Sequence, residues 1–131
     1  MRNWKSIFMI RGTNYWILAL SAAANLLWSF FVLVIAFIFL LEAGDGDAGQ
    51  VYVGLMIGEF AGPFLIGWFC GWLAFDDRGA TYGVIGAFGS VLMILLTLLA
   101  SGWIAILLSI AALAGGFNGG AISRYRGKRN K

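Results

Sequence analysis

Few residues in this chain have types fit for chemistry, and one of them stands apart. Glu59 lies inside the apolar stretch GLMIGEFAGPF, residues 54–64, and is the ionisable side chain set deepest within any apolar run. Pro63, the only proline, follows it at i+4. Proline has no N–H, so it cannot bond the carbonyl of Glu59, and a helix through this point is free to bend. A freed carbonyl beside a carboxylate suits a proton or a cation. The plainer reading is a buried, protonated Glu59 hydrogen-bonded to Asn25, Ser21 or Ser29 of another apolar run. No second ionisable group accompanies Glu59, and the plainer reading is preferred on that ground. Glu59, Pro63 and Asn25 form the candidate polar site.

The other reactive groups point away from catalysis. Glu42, Asp45 and Asp47 crowd the segment LEAGDGDAGQ. An EF-hand needs a longer ligand pattern ending in a bidentate Glu, which is missing, so this segment reads as a solvated acidic loop. DDRG, residues 76–79, has too few carboxylates for a metal-dependent phosphotransferase and reads as a local ion pair ending a helix. The chain has no His, which removes the commonest general base, metal ligand and haem ligand. Cys70 is the single cysteine and reads as a small buried hydrophobe. No enzymatic activity, cofactor or metal site is expected.

Composition identifies the elements that must position these residues. The chain is 61% hydrophobic and 11% charged over 131 residues. A soluble domain carries about a quarter charged residues, so this chain has too little polar surface to coat a water-soluble globule. Apolar runs extend over about Tyr15–Leu41, Val51–Phe75, Tyr82–Ala100 and Trp103–Ile122. Each is long enough for a helix to cross a hydrocarbon core of about 30 Å. In lipid the backbone must satisfy its own hydrogen bonds, and the dyad alternation of barrel strands is missing, so the runs are expected to be helices. The first is too long for a signal-peptide core and reads as a retained span. The expected fold is an all-α polytopic membrane protein, a single four-helix membrane domain over residues 1–131.

All nine Lys and Arg residues fall in three places: Arg2, Lys5 and Arg11 before the first span, Arg78 after the second, and Arg124, Arg126, Lys128, Arg129 and Lys131 after the fourth. With four spans these places share one side, and the other side carries only acidic loop residues. The positive-inside rule puts both termini in the cytoplasm, in a multi-pass protein of the cell inner membrane. Tyr15, Trp16, Trp72, Tyr82 and Tyr125 would mark the inner interface, Tyr52 and Trp103 the outer one. Residues 1–14 read as a basic interfacial segment with Trp4, Ile7 and Phe8 on one side of a helix, a disordered basic tail being the alternative. Residues 123–131 form a polybasic cytoplasmic tail whose Arg124, Arg126, Lys128, Arg129 and Lys131 would meet anionic lipid head groups. No nucleic-acid partner is expected of so short a tail.

Glycines at a spacing of four recur as Gly54, Gly58 and Gly62, Gly67 and Gly71, Gly79 and Gly83, and Gly115 and Gly119. This spacing lets membrane helices approach closely, without saying which helix meets which. Phe60, Phe64, Trp68 and Trp72 form an aromatic ridge away from the Gly54–Gly58–Gly62 stripe, for lipid or a bulky neighbour. GWFCGWLAFDDRG (67–79) and GGFNGGAISRYRG (115–127) align without gaps, as two parallel hairpin repeats would, and a chance match of Gly-rich helix ends is the alternative.

GGFNGGAISRY (115–125) resembles a glycine motif of the four-helix fluoride channels, but there it opens the chain and the loop charges are balanced. Small multidrug exporters carry their membrane Glu in the first span, which has none here. As a whole the chain resembles small prokaryotic four-span proteins whose even-numbered helices end in glycines followed by basic residues, a resemblance that implies no activity. The functional expectation is a small accessory or scaffold subunit, its partners being membrane lipids and other integral membrane proteins or further copies of itself. The alternative is a small oligomeric transporter or channel with Glu59 as its proton or cation site.

Overall fold

The computed structural model describes residues 13–43, 48–74, 78–98 and 102–129, and at 43, 48, 98 and 124–129 the backbone alone. The interfacial reading of residues 1–12, the carboxylates Asp45, Asp47, Asp76 and Asp77, and the side chains of Arg124, Arg126, Lys128, Arg129 and Lys131 lie outside the described residues.

The described chain is all-helical: α1 (Tyr15–Ala43), α2 (Ala48–Ala74), α3 (Gly79–Leu98) and α4 (Trp103–Arg129). Each contains a stretch long and apolar enough to cross a membrane. Asn14 caps α1, its Oδ1 accepting the Trp16 N–H at 3.1 Å. Gly102 turns the chain into α4 at a φ of 57°, a left-handed conformation that side chains other than glycine's resist.

Contacts fix the helix directions. Trp28 and Val32 of α1 meet Gly62 and Gly58 of α2 in reverse order, whereas Phe60 and Phe64 of α2 meet Gly115 and Gly119 of α4 in the same order. Ser21 and Ala22 of α1 likewise meet Gly86 and Gly89 of α3 in the same order. The helices therefore alternate up and down, with α1 parallel to α3 and α2 parallel to α4. The start of α1, the end of α2, the start of α3 and the end of α4 share one face, the terminal face. The end of α1, the start of α2, the end of α3 and the Gly102 turn share the opposite, loop face. α2 and α3 touch every other helix, while α1 and α4 occupy opposite corners with no close approach among the described residues.

Two interiors result. Toward the loop face, Leu33, Leu55, Ile94 and Leu108 pack with Ala36, Ala105 and Ala112. Toward the terminal face, helices meet through glycines. A Cβ at Gly116 would run into the Gly83 carbonyl, one at Gly120 into the Gly79 carbonyl, and one at Gly119 into the Phe64 carbonyl. Tyr82, Ile17 and Cys70 form a small buried cluster there. Tyr82 departs from its expected interfacial position: it is fully buried, its hydroxyl accepting the Asn14 N–H at 2.6 Å. That bond lets a phenol sit inside the bundle instead of at the head groups. The outer surface is apolar, as a lipid-facing surface must be, and α1 carries the largest share of it, with Phe30, Phe31, Phe37 and Phe39 exposed.

Candidate functional site

Glu59 lies ten residues into the span that begins at Gly49, which at 1.5 Å per residue is about 15 Å, the middle of a hydrocarbon core. It faces inward and is fully buried. Its Oε2 accepts a 2.7 Å hydrogen bond from Ser29 Oγ, near the midpoint of α1. Its Oε1 is buried and has no hydrogen-bond partner among the described residues. Pro63, one turn on, is fully buried as well, and it leaves the Glu59 carbonyl without the amide that would normally bond it.

Of the partners expected from the sequence, Ser29 holds the carboxyl. Asn25 and Ser21 bond elsewhere. Asn25 Nδ2 donates to the Ser21 carbonyl of its own helix at 2.8 Å, and Ser21 Oγ donates to the Tyr82 carbonyl at 3.1 Å. Ser90 of α3, which sequence reasoning did not single out, donates through Oγ to the Asn25 carbonyl at 3.0 Å. Ser21, Asn25, Ser29 and Ser90 are all fully buried. Residues 21, 25 and 29 recur every four positions, so they stand on one face of α1. A ladder of buried polar groups therefore runs from Tyr82, which accepts the N–H of the exposed Asn14 at the terminal face, to Glu59 at mid-depth. Beyond Glu59, toward the loop face, the described core is aliphatic.

The helix-packing glycines have different circumstances. Gly67 meets the backbone of Gly116 and Gly83, Gly71 meets Ser123 and Gly79, and Gly115 and Gly119 meet the carbonyls of Phe60 and Phe64. The backbone beneath the aromatic ridge is thus what α4 touches, while the Phe60 and Phe64 rings stack on one another at 6.0 Å. At Gly62 the nearest atoms belong to a side chain: the Trp28 indole covers it and donates to the Gly58 carbonyl at 2.8 Å. Gly58 faces Val32, with 3.3 Å between its would-be Cβ and a valine methyl. At Gly54 the expected close approach is not met within this chain, since a Cβ there would meet nothing within 4 Å. The physical reason is a groove of about 530 Å³ between the loop-side halves of α1 and α2. Ala36, Gly54 and Gly58 form its small-residue lining, and Val32, Ile35 and Phe39 are among its larger walls.

No group of three or more His, Cys, Asp or Glu able to hold a metal ion occurs among the described residues. No protein-family model matches the chain, and neither the curated proteins nor the solved structures searched contain a match.

Proposed function

We propose that this chain is a small, non-enzymatic subunit of a membrane protein assembly, offering the loop-side half of its α1–α2 face to a transmembrane helix of another integral membrane protein. The groove at Gly54 carries this reading. Lipid supplies no hydrophobic drive between helices, so membrane helices associate by close packing over small residues. Elsewhere along the middle of the spans, the chain's own atoms fill the space over its glycines. Over Gly54 nothing does, and the neighbouring lining is apolar except for Gln50. An apolar helix presenting one large side chain fits that shape.

In this reading both termini lie in the cytoplasm and the membrane is the cell inner membrane, because in the sequence every basic residue precedes α1, stands between α2 and α3, or comes at the end of α4 and after it. The basic tail from Arg124 to Lys131 holds that face to anionic lipid. The ungapped match of residues 67–79 with residues 115–127 supports descent from a duplicated hairpin. The test is purification of the tagged chain from native membranes. A distinct larger membrane protein that co-purifies in fixed ratio is the expected result. A homo-oligomer by itself would favour the transporter reading, and a lone monomer carrying only lipid would overturn the proposal.

A further inference from the structure

We propose that Glu59 is a reversible proton-binding site, loaded from the terminal face of the bundle. The proton bonds to Oε1, hydronium giving up that proton and leaving as water, while Oε2 keeps its bond to Ser29. Release reverses the same steps. This inference does not rest on the subunit reading and concerns a different part of the molecule.

Three observations carry it. The first is the carboxyl itself, fully buried with Oε1 lacking a partner. A carboxyl retained only for structure is expected to have its hydrogen-bonding capacity used, because an unpaired buried polar atom is costly. Here one oxygen is held and the other is left over, as a group that takes up and gives up something requires. The second is one-sidedness. Tyr82, Ser21, Asn25, Ser90 and Ser29 supply polar groups between the terminal face and Glu59. On the loop side Leu33, Leu55, Ile94 and Leu108 close the interior with hydrocarbon. Among the described residues, buried polar side chains offer water that follows protons inward footholds from the terminal side only; on the loop side Ser109 is half-buried and Gln50 lines the open groove. The third is Pro63, which removes a helical hydrogen bond one turn from Glu59 and lets α2 yield there so that the packed ladder can admit water.

The ligand is a proton and not a metal ion. One carboxylate with a single serine hydroxyl falls far short of the six or more oxygens that a cation such as Ca²⁺ takes. No charged group faces Glu59 among the described residues. On α1, Tyr15 and Glu42 stand near opposite ends of the helix. On α2, Tyr52 is exposed near the loop face, and Cys70 packs with Ile17 and Tyr82 at the other end. On the α3 side, Tyr82 and Arg78 belong to the terminal end, and α4 has no ionisable side chain before residue 124. The proton at Glu59 therefore has no basic group there to pass to and no second acid to share it with.

The test is infrared difference spectroscopy of the full chain in sealed vesicles of known protein orientation, with pH set separately on the two sides. The expected result is a protonated-carboxyl band, lost in Glu59→Gln, that fades as pH rises on the terminal face alone. Replacing K⁺ by Na⁺ should leave the midpoint in place. Ser29→Ala, which keeps Glu59 itself, should displace the midpoint by about one pH unit or more, the worth of a hydrogen bond to a charged group. That variant carries the test if Glu59→Gln does not assemble. The proposal is overturned by a band that responds to neither face, by one that follows the loop face, by a sodium-dependent midpoint, or by an unmoved midpoint in Ser29→Ala.

Discussion

The two halves of the bundle solve the same packing problem in opposite ways. Toward the loop face, side chains interlock: Leu33, Leu55, Ile94 and Leu108 fill the space between helices. Toward the terminal face, side chains are missing where helices cross, and carbonyls of one helix rest on glycines of the next, as at Gly83 and Gly116. A membrane makes this difference consequential. Leucine gains little by leaving lipid for a protein interior, so the loop-side core contributes mainly through fit. The terminal-side contacts bring whole backbones together and leave no volume for error. Buried polar groups belong to this second half, and Glu59 marks its upper limit.

The sharpest way to break the comparison is Gly116→Leu. The new side chain would collide with the Gly83 backbone, which cannot move aside as a side chain can, and with the Ala87 methyl. A loss of about 3 kcal/mol or more is expected, read as failure to recover folded protein or as a large fall in unfolding free energy in bicelles. Gly62→Leu should cost less, about 2 kcal/mol, because the obstacle is the Trp28 indole, which can swing out at the expense of its bond to Gly58. Tryptophan fluorescence should shift in that variant if the indole is displaced. On the loop side, Leu108→Ala should cost about 1–2 kcal/mol, below the usual value for a soluble core, since only packing is lost and the transfer term is nearly absent in lipid. Should Leu108→Ala prove more damaging than Gly116→Leu in the same unfolding assay, the contrast between the halves is mistaken.

The four spans were legible in the sequence because length and hydropathy alone define them, and lipid then leaves the backbone no option but helix. That Glu59 would take a partner from α1 was legible too, since an isolated membrane carboxyl needs a hydroxyl or amide and Ser21, Asn25 and Ser29 stand there at one spacing. Which of them it takes was not legible. Asn25 satisfies itself on its own helix and on Ser90 instead. The glycines show the same limit. Gly54 and Gly115 sit in similar four-residue patterns, yet one faces open space and the other the Phe60 carbonyl. Periodicity says which residues share a face, and the helix opposite that face decides what the face does. Tyr82 looked interfacial from its place near a span end. A backbone N–H from Asn14 satisfied its hydroxyl and took it inside, a pairing across 68 positions that local pattern does not carry.

The functional account turns on the half-open groove, and Gly54→Leu tests it most directly. A Cβ there meets nothing within 4 Å and the leucine side chain has the open groove to occupy, so the purified bundle should unfold within about 0.5 kcal/mol of the parent. The same side chain would occupy the space we propose for a partner helix. Affinity purification of parent and variant from native membranes, with thermal unfolding recorded on the same samples, separates the two effects. The account expects an unchanged melt together with loss of the co-purifying membrane protein. Full retention of the partner by a variant that melts like the parent would contradict it.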